Sequence, residues 1–76
     1  MKIRTLDNKI FEGKDAQEIC EMLWKSMFMP DENFELWMEG SARRAKNWNG
    51  ALISCVNAQE HLDGLIRNEI VELLEG

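Results

Sequence analysis

Pro30 is the only proline in the chain, and it stands between two runs whose apolar residues recur at helical spacing. Proline disfavours helical geometry in the residue before it, so a helix arriving from the N-terminal side stops near Met29, and Asp31 is placed to cap a second one. At about 100° per residue, Ala16, Ile19, Cys20, Leu23, Trp24 and Met27 share one side of the first run, with Glu18, Glu21 and Lys25 opposite. Asp15 followed by Glu18 is a capping-box pattern, in which each side chain accepts from the other residue's backbone N–H, so this helix begins at Ala16.

The same projection from Asp31 to Trp48 gathers Phe34, Trp37, Met38, Ser41, Ala42, Ala45 and Trp48 on one face. Glu35, Glu39, Arg43 and Lys46 fall on the other. Acids open this segment and bases close it, which complements the helix dipole, and Glu39 with Arg43 forms a favourable i,i+4 pair. Leu36 alone is unaccounted for, because it projects near the middle of the polar face, beside Gly40 and Arg43. A leucine flanked by Glu35 and Glu39 fits an anchor on an acidic contact surface, so Glu35, Leu36, Glu39 and Arg43 are the candidate partner-binding residues.

Outside these helices the pattern changes period. KIRTL and KIFEG read as two short strands around a tight turn at Asp7-Asn8, since Asp and Asn tolerate the positive φ of primed hairpin turns. Asn49-Gly50 ends the second helix, and ALISCV (51–56) is a short β-compatible run. Asn57 with Glu60 repeats the capping-box form, which predicts a third helix from Ala58 to about Arg67. The tail IVELLEG satisfies both periods, and a break at Asn68 favours a strand over a continued helix. The predicted architecture is α+β, one domain over 1–76 in the order β-β-α-α-β-α-β, with helices on one face of a small sheet.

With 76 residues, such a domain buries only about 60% of its unfolded surface, which leaves little room for a deep substrate cavity. The formal net charge of −5 opposes broad attraction to phosphate backbones or anionic lipid and favours a basic partner. No apolar run approaches the roughly 18–20 residues of a membrane span, and MKIRTLDNK lacks the apolar core of a secretory signal, so a cytoplasmic location is expected. Cys20, Cys55 and His61 cannot assemble a four-ligand zinc set, and both thiols are expected to be reduced and packed as small hydrophobes. No metal or cofactor is implied.

Carriers of catalysis are few. His61 is the only side chain that titrates near neutrality without a large shift, and beside Leu62 and Leu65 it reads as a partly buried packing histidine. Ser26, Ser41 and Ser54 lack the context of an activated nucleophile, and the carboxylates are spaced for solvation, so a non-enzymatic protein is expected. An alternative places Arg43, Arg44 and Lys46 on phosphates with Trp48 stacked on a base, in a small nucleic-acid-binding regulator. A third possibility is an accessory subunit of a bacterial assembly.

The layout KIRTL-DN-KIFEG, the helix opening DAQEI, the segment WMEGSARRA and the closing AQEHLDGLIRNEIVELLE resemble small single-domain proteins of bacteria, their phages and mobile elements. Some acidic members of that group are anti-CRISPR inhibitors, which bind a defence complex and block its nucleic-acid or nuclease surfaces. The resemblance implies an inhibitor whose partner is a basic protein or ribonucleoprotein complex of the host. It carries no functional residue over. The chain departs from the pattern at Glu69, where a glycine is expected between the last helix and the last strand.

Overall fold

The two N-terminal runs pair as expected, β1 (Lys2–Thr5) antiparallel to β2 (Ile10–Glu12), with Ile3 opposite Phe11 and Arg4 opposite Ile10. A computed structural model describes all residues, 1–76. The hairpin connection differs from the two-residue turn predicted. Only Asn8 has positive φ, at 66°. Its N–H donates to the Thr5 carbonyl at 3.0 Å while the Thr5 N–H donates to Lys9 at 2.9 Å. This is a three-residue loop, Leu6 to Asn8, whose last residue is left-handed.

The helices are α1 (Ala16–Lys25), α2 (Phe34–Asn49) and α3 (Ala58–Arg67). Asp15 caps α1 by accepting from the Glu18 N–H at 2.9 Å, but the reciprocal bond is shifted by one residue, because Glu18 Oε1 accepts from Lys14 rather than Asp15. A β-carbon at Gly13 would lie 2.9 Å from that oxygen, so the bare glycine backbone makes the arrangement possible. α1 ends before Met29: the Ser26 N–H donates to Met22 at 2.9 Å and its hydroxyl to Leu23 at 2.8 Å, closing the helix early. Asn33, not Asp31, caps α2, accepting from the Leu36 N–H at 2.9 Å. Asp31 is held elsewhere, its carbonyl accepting from Trp24 Nε1 at 2.8 Å.

The C-terminal segment is the strand β3 (Val71–Glu75), which pairs antiparallel with the free edge of β1 and gives the sheet order β2-β1-β3. Arg4 faces Glu72, Thr5 faces Val71, and the register shifts by one residue between Lys2 and Ile3. The turn into β3 is a Schellman motif, in which Glu69 N–H donates to Ile66 at 3.0 Å and Ile70 N–H to Leu65 at 2.9 Å. Glu69 occupies its left-handed position with φ 59°. The glycine expected there thus corresponds to a real backbone demand, met here by a side chain that the left-handed region disfavours.

Ile3, Ile19, Cys20 and Leu62 are fully buried, and Ala16, Trp37, Met38, Ala58, Leu65 and Val71 complete one core cluster. The helices cover one face of the sheet, where Ile3 and Val71 point inward, while Arg4, Ile10, Glu12 and Glu72 are exposed on the other. Each fully buried aliphatic side chain contributes roughly 1.5–3 kcal/mol relative to exposure.

Two further sequence expectations fail. Residues 51–56 form no strand, because their polar groups are already taken by side chains: Asn49 Oδ1 accepts from Ala51, Ser54 Oγ from Val56, and the Ser54 carbonyl is bonded by His61. A β-carbon at Gly64 would lie 3.3 Å from Ile53, so the loop approaches α3 closely where the helix lacks a side chain. Trp48 also leaves the predicted apolar face. It is 62% exposed in the last turn of α2, beyond Ala45, the last buried residue of that helix.

Glu69→Gly is expected to raise stability by about 0.5–1 kcal/mol, the relief of left-handed strain less the added entropy of the unfolded chain. Urea titration would register this as a higher midpoint with an unchanged slope; a lower midpoint would contradict the strain assignment.

Candidate interaction surface

The four residues singled out by pattern all reach solvent on α2. Glu35, Glu39 and Arg43 are exposed, and Leu36 retains 43% of its surface. Glu35 in the first turn and Lys46 in the last complement the helix dipole as expected. The Glu39 to Arg43 ion pair does not form. The ion pairs of the fold are Lys2 with Glu75 at 3.6 Å, Arg4 with Glu72 at 3.0 Å and Lys9 with Asp7 at 3.7 Å, all on the sheet and its hairpin. Carboxylates on the helices therefore keep their charge unpaired at close range. Water competes effectively for an exposed i,i+4 pair worth only about 0.3–0.5 kcal/mol.

Glu39 and Arg43 instead border a shallow depression of about 350 Å³ with Ala42, Lys46, Leu52 and Ile53. Leu52 is 80% exposed and Val56 76% exposed on the adjoining loop. Reading ALISCV as a strand missed this contribution. Its only available signal was the succession of apolar residues, of which Ala51 is buried and Ile53 half-buried while Leu52 and Val56 face solvent.

Arg43, Arg44 and Lys46 do not form one cationic patch. Arg43 and Lys46 flank the depression beside Leu52, whereas Arg44 lies around the helix with Trp48, Ser41 and Leu65. Residues one apart on a helix diverge by about 100°, which sequence proximity conceals.

The loop that carries Leu52 and Val56 is held from beneath by His61. This histidine is completely buried, more so than its pattern suggested. Its Nδ1 lies 2.8 Å from the Ser54 carbonyl and its Nε2 3.0 Å from Ser41 Oγ. A carbonyl only accepts, so Nδ1 carries the proton and donates to it; Nε2 of the neutral ring then accepts from the Ser41 hydroxyl. Trp37 packs against the imidazole at a ring separation of 5.2 Å and stacks on Phe34 at 5.5 Å. Burial lowers the histidine pKa from its ordinary 6.5, and the Ser54 hydrogen bond partly opposes that shift.

Ser41, His61 and the Ser54 carbonyl stand in the order of nucleophile, base and orienting acceptor, a juxtaposition no spacing in the sequence announced. Ser41 lies inside α2, where the backbone N–H groups around it are bonded in the helix ladder. The two bonds fasten α2, α3 and the 51–56 loop together.

The two thiols have different surroundings. Cys20 is in the core, its Sγ directed at the Ala58 carbonyl at 3.7 Å, and burial pushes its pKa up to about 12. Cys55 departs from the predicted core packing: it is exposed, with Sγ 3.5 Å from the Met38 carbonyl, and partial burial together with the negative charge of Glu39 raises its pKa. Both are free. No group of three or more His, Cys, Asp or Glu residues is arranged to hold a metal ion. No helix is long and apolar enough to cross a membrane. No family model, curated protein or solved structure matches the chain.

Because the folded-state pKa of His61 is depressed, its neutral form stabilises the native state fully above about pH 6.5, and that contribution is lost as pH falls from there through the lowered native value. Urea stability is expected to decline from pH 7.5 to 5.5 by at most about 1.4 kcal/mol per pH unit from this group. In His61→Gln the decline should flatten; an unchanged slope would assign it to other groups.

Iodoacetamide on the native protein should label Cys55 and spare Cys20, at a rate below that of an unhindered thiol because the thiolate is disfavoured at both sites. Peptide mass mapping distinguishes the two, and equal labelling would contradict the packing of Cys20.

Proposed function

We propose that this chain is a non-enzymatic interaction protein of the anti-CRISPR-like kind, a phage or mobile-element inhibitor acting in the cytoplasm by occupying a basic, nucleic-acid-binding surface of a host defence complex. The observation that carries the reading is the exposure of Leu36 between Glu35 and Glu39, on a helix whose carboxylates have no ion-pair partner. Unpaired acidic groups supply a field that draws a basic surface from a distance, and an apolar side chain among them supplies contact energy once water is expelled. Leu52 extends the apolar contact from the loop side of Glu39.

The division of labour among these residues follows from their chemistry. Peripheral charges act mostly on encounter, so Glu35 and Glu39 govern association rate and its salt dependence. A desolvated anchor acts on residence time, so Leu36 governs dissociation. A nucleic-acid-binding reading has one observation in its favour, the exposure of Trp48 beside Arg44. It is the weaker of the two, since the three cations diverge and the net charge of −5 repels phosphate.

The test is affinity capture from nuclease-treated bacterial lysate, read by mass spectrometry, with kinetics measured on the captured partner. The expected partner is a basic nucleic-acid-binding protein. The Glu35→Lys, Glu39→Lys double variant should slow association about tenfold or more at low salt. Leu36→Ala should chiefly speed dissociation, at a cost of about 2 kcal/mol. Unchanged kinetics in both variants, with native circular dichroism, would remove this face from the interface.

A further inference from the structure

A second surface feature is independent of that reading. A cleft of about 450 Å³ opens between α2, α3 and the β1–β2 hairpin loop. Its apolar lining includes Leu23, Met27, Trp37, Leu65, Ile70 and Val71. The volume lies within the roughly 300–1,000 Å³ typical of small-molecule sites, and the composition, mostly apolar with few polar groups, is of the same kind. The hairpin residues Thr5, Leu6 and Asp7, together with Ser41 and Arg44, complete the wall.

The polar groups of this wall are not equivalent. Asp7 is engaged with Lys9 and accepts from the Thr5 hydroxyl, so the hairpin side offers a negative charge and no spare side-chain donor. The Ser41 hydroxyl is committed to His61 Nε2. Arg44 alone makes neither a hydrogen bond nor an ion pair, although its guanidinium has five N–H donors. The Asp31 carboxylate lies on the same side of Gly40, where a β-carbon would be 3.3 Å from Arg44 Nη1 and 3.8 Å from Asp31 Oδ2, yet the two do not pair. Asp31 Oδ2 is itself buried without a hydrogen-bond partner.

We propose that this cleft binds a small aliphatic carboxylate, its chain laid over Leu23, Met27, Leu65 and Ile70 and its head on the Arg44 guanidinium. The planar fork of arginine matches a carboxylate in two-point contact. Asp7 at the hairpin end repels the head and so sets the direction of the chain. Asp31 Oδ2, the unengaged acceptor beside Arg44, is buried and outside the cleft wall, so an ammonium-headed chain of equal length meets only a like charge at that end.

Two-dimensional ¹H–¹⁵N NMR titration with butanoate, hexanoate and octanoate tests this, with octylammonium and octanol as head-group controls. Saturable shifts are expected at Leu23, Met27, Leu65 and Ile70, with affinity rising about fourfold for each added methylene. Arg44→Gln should weaken octanoate about tenfold while leaving octanol unchanged, and Arg44→Lys should recover part of the loss. Octylammonium or octanol binding as tightly as octanoate, an Arg44→Gln variant that binds octanoate normally, or shifts that never saturate would each overturn the proposal. None of these results depends on Glu35, Leu36 or Glu39, so the outcome is separable from the test of the α2 surface.

Discussion

The buried imidazole of His61 is the constraint on which the arrangement of the helices depends. It is the only polar or charged side chain in the fold that is wholly removed from water, and it is tolerated because both ring nitrogens are bonded. One bond reaches α2 and the other reaches the loop between α2 and α3, so a single ring fixes three segments of the chain. Its aromatic neighbour Trp37 belongs to the same core cluster as Leu62 and Ile3. A buried group of this kind is asymmetric in its energetics: satisfied, it adds little net stability, whereas losing either partner exposes a desolvation cost of about 1–3 kcal/mol. The bond holds the loop at Ser54, with Leu52 and Val56 exposed on either side of it.

What was legible in the sequence is what local chemistry controls. The third helix spans the predicted Ala58–Arg67 because its cap and its apolar stripe agree. The tail is a strand because the Schellman turn at Glu69 reverses the chain before the helical stripe can continue. The α+β class and the placement of helices on one face follow from these periods. Errors occurred where side-chain bonds to nearby backbone competed with the periodic pattern, joined in one case by the bond from His61. Ser26 ended α1 early, Asn33 displaced Asp31 as the cap, and the backbone of 51–56 bonded to side chains instead of a neighbouring strand.

The surface was legible in part. Projection placed Glu35, Leu36, Glu39 and Arg43 on the solvent side correctly, since a helix wheel needs only the position of the core. It misplaced Trp48, because a wheel assumes that the core runs the full length of the helix. The nucleic-acid alternative joined Arg43, Arg44 and Lys46 by nearness in sequence, and proximity along the chain is a poor guide to direction around an axis. The Ser41 to His61 bond links residues twenty apart on different helices and has no local signature at all.

The length of α2 bears on why this small domain has surfaces to spare. At 16 residues it exceeds α1 and α3, each of 10, although its last buried residue is Ala45. A domain of this size gains stability mainly by enlarging the fraction of apolar surface it covers. The final turn of α2 works against that economy, since it carries Trp48 into solvent at 62% exposure without adding to the core. The left-handed Gly50, with φ 75°, closes the helix there and turns the chain back along it, so the extra turn also sets where the 51–56 loop begins. Stability alone would be served by a shorter helix ending near Ala45. The extension adds Trp48 to the side of the helix that carries Arg44, and Lys46 to the side that carries Arg43 and faces Leu52. The extension therefore widens the rim of each flank without creating it, since Glu35, Leu36, Glu39, Arg43 and Arg44 all lie on the part of α2 that covers the core.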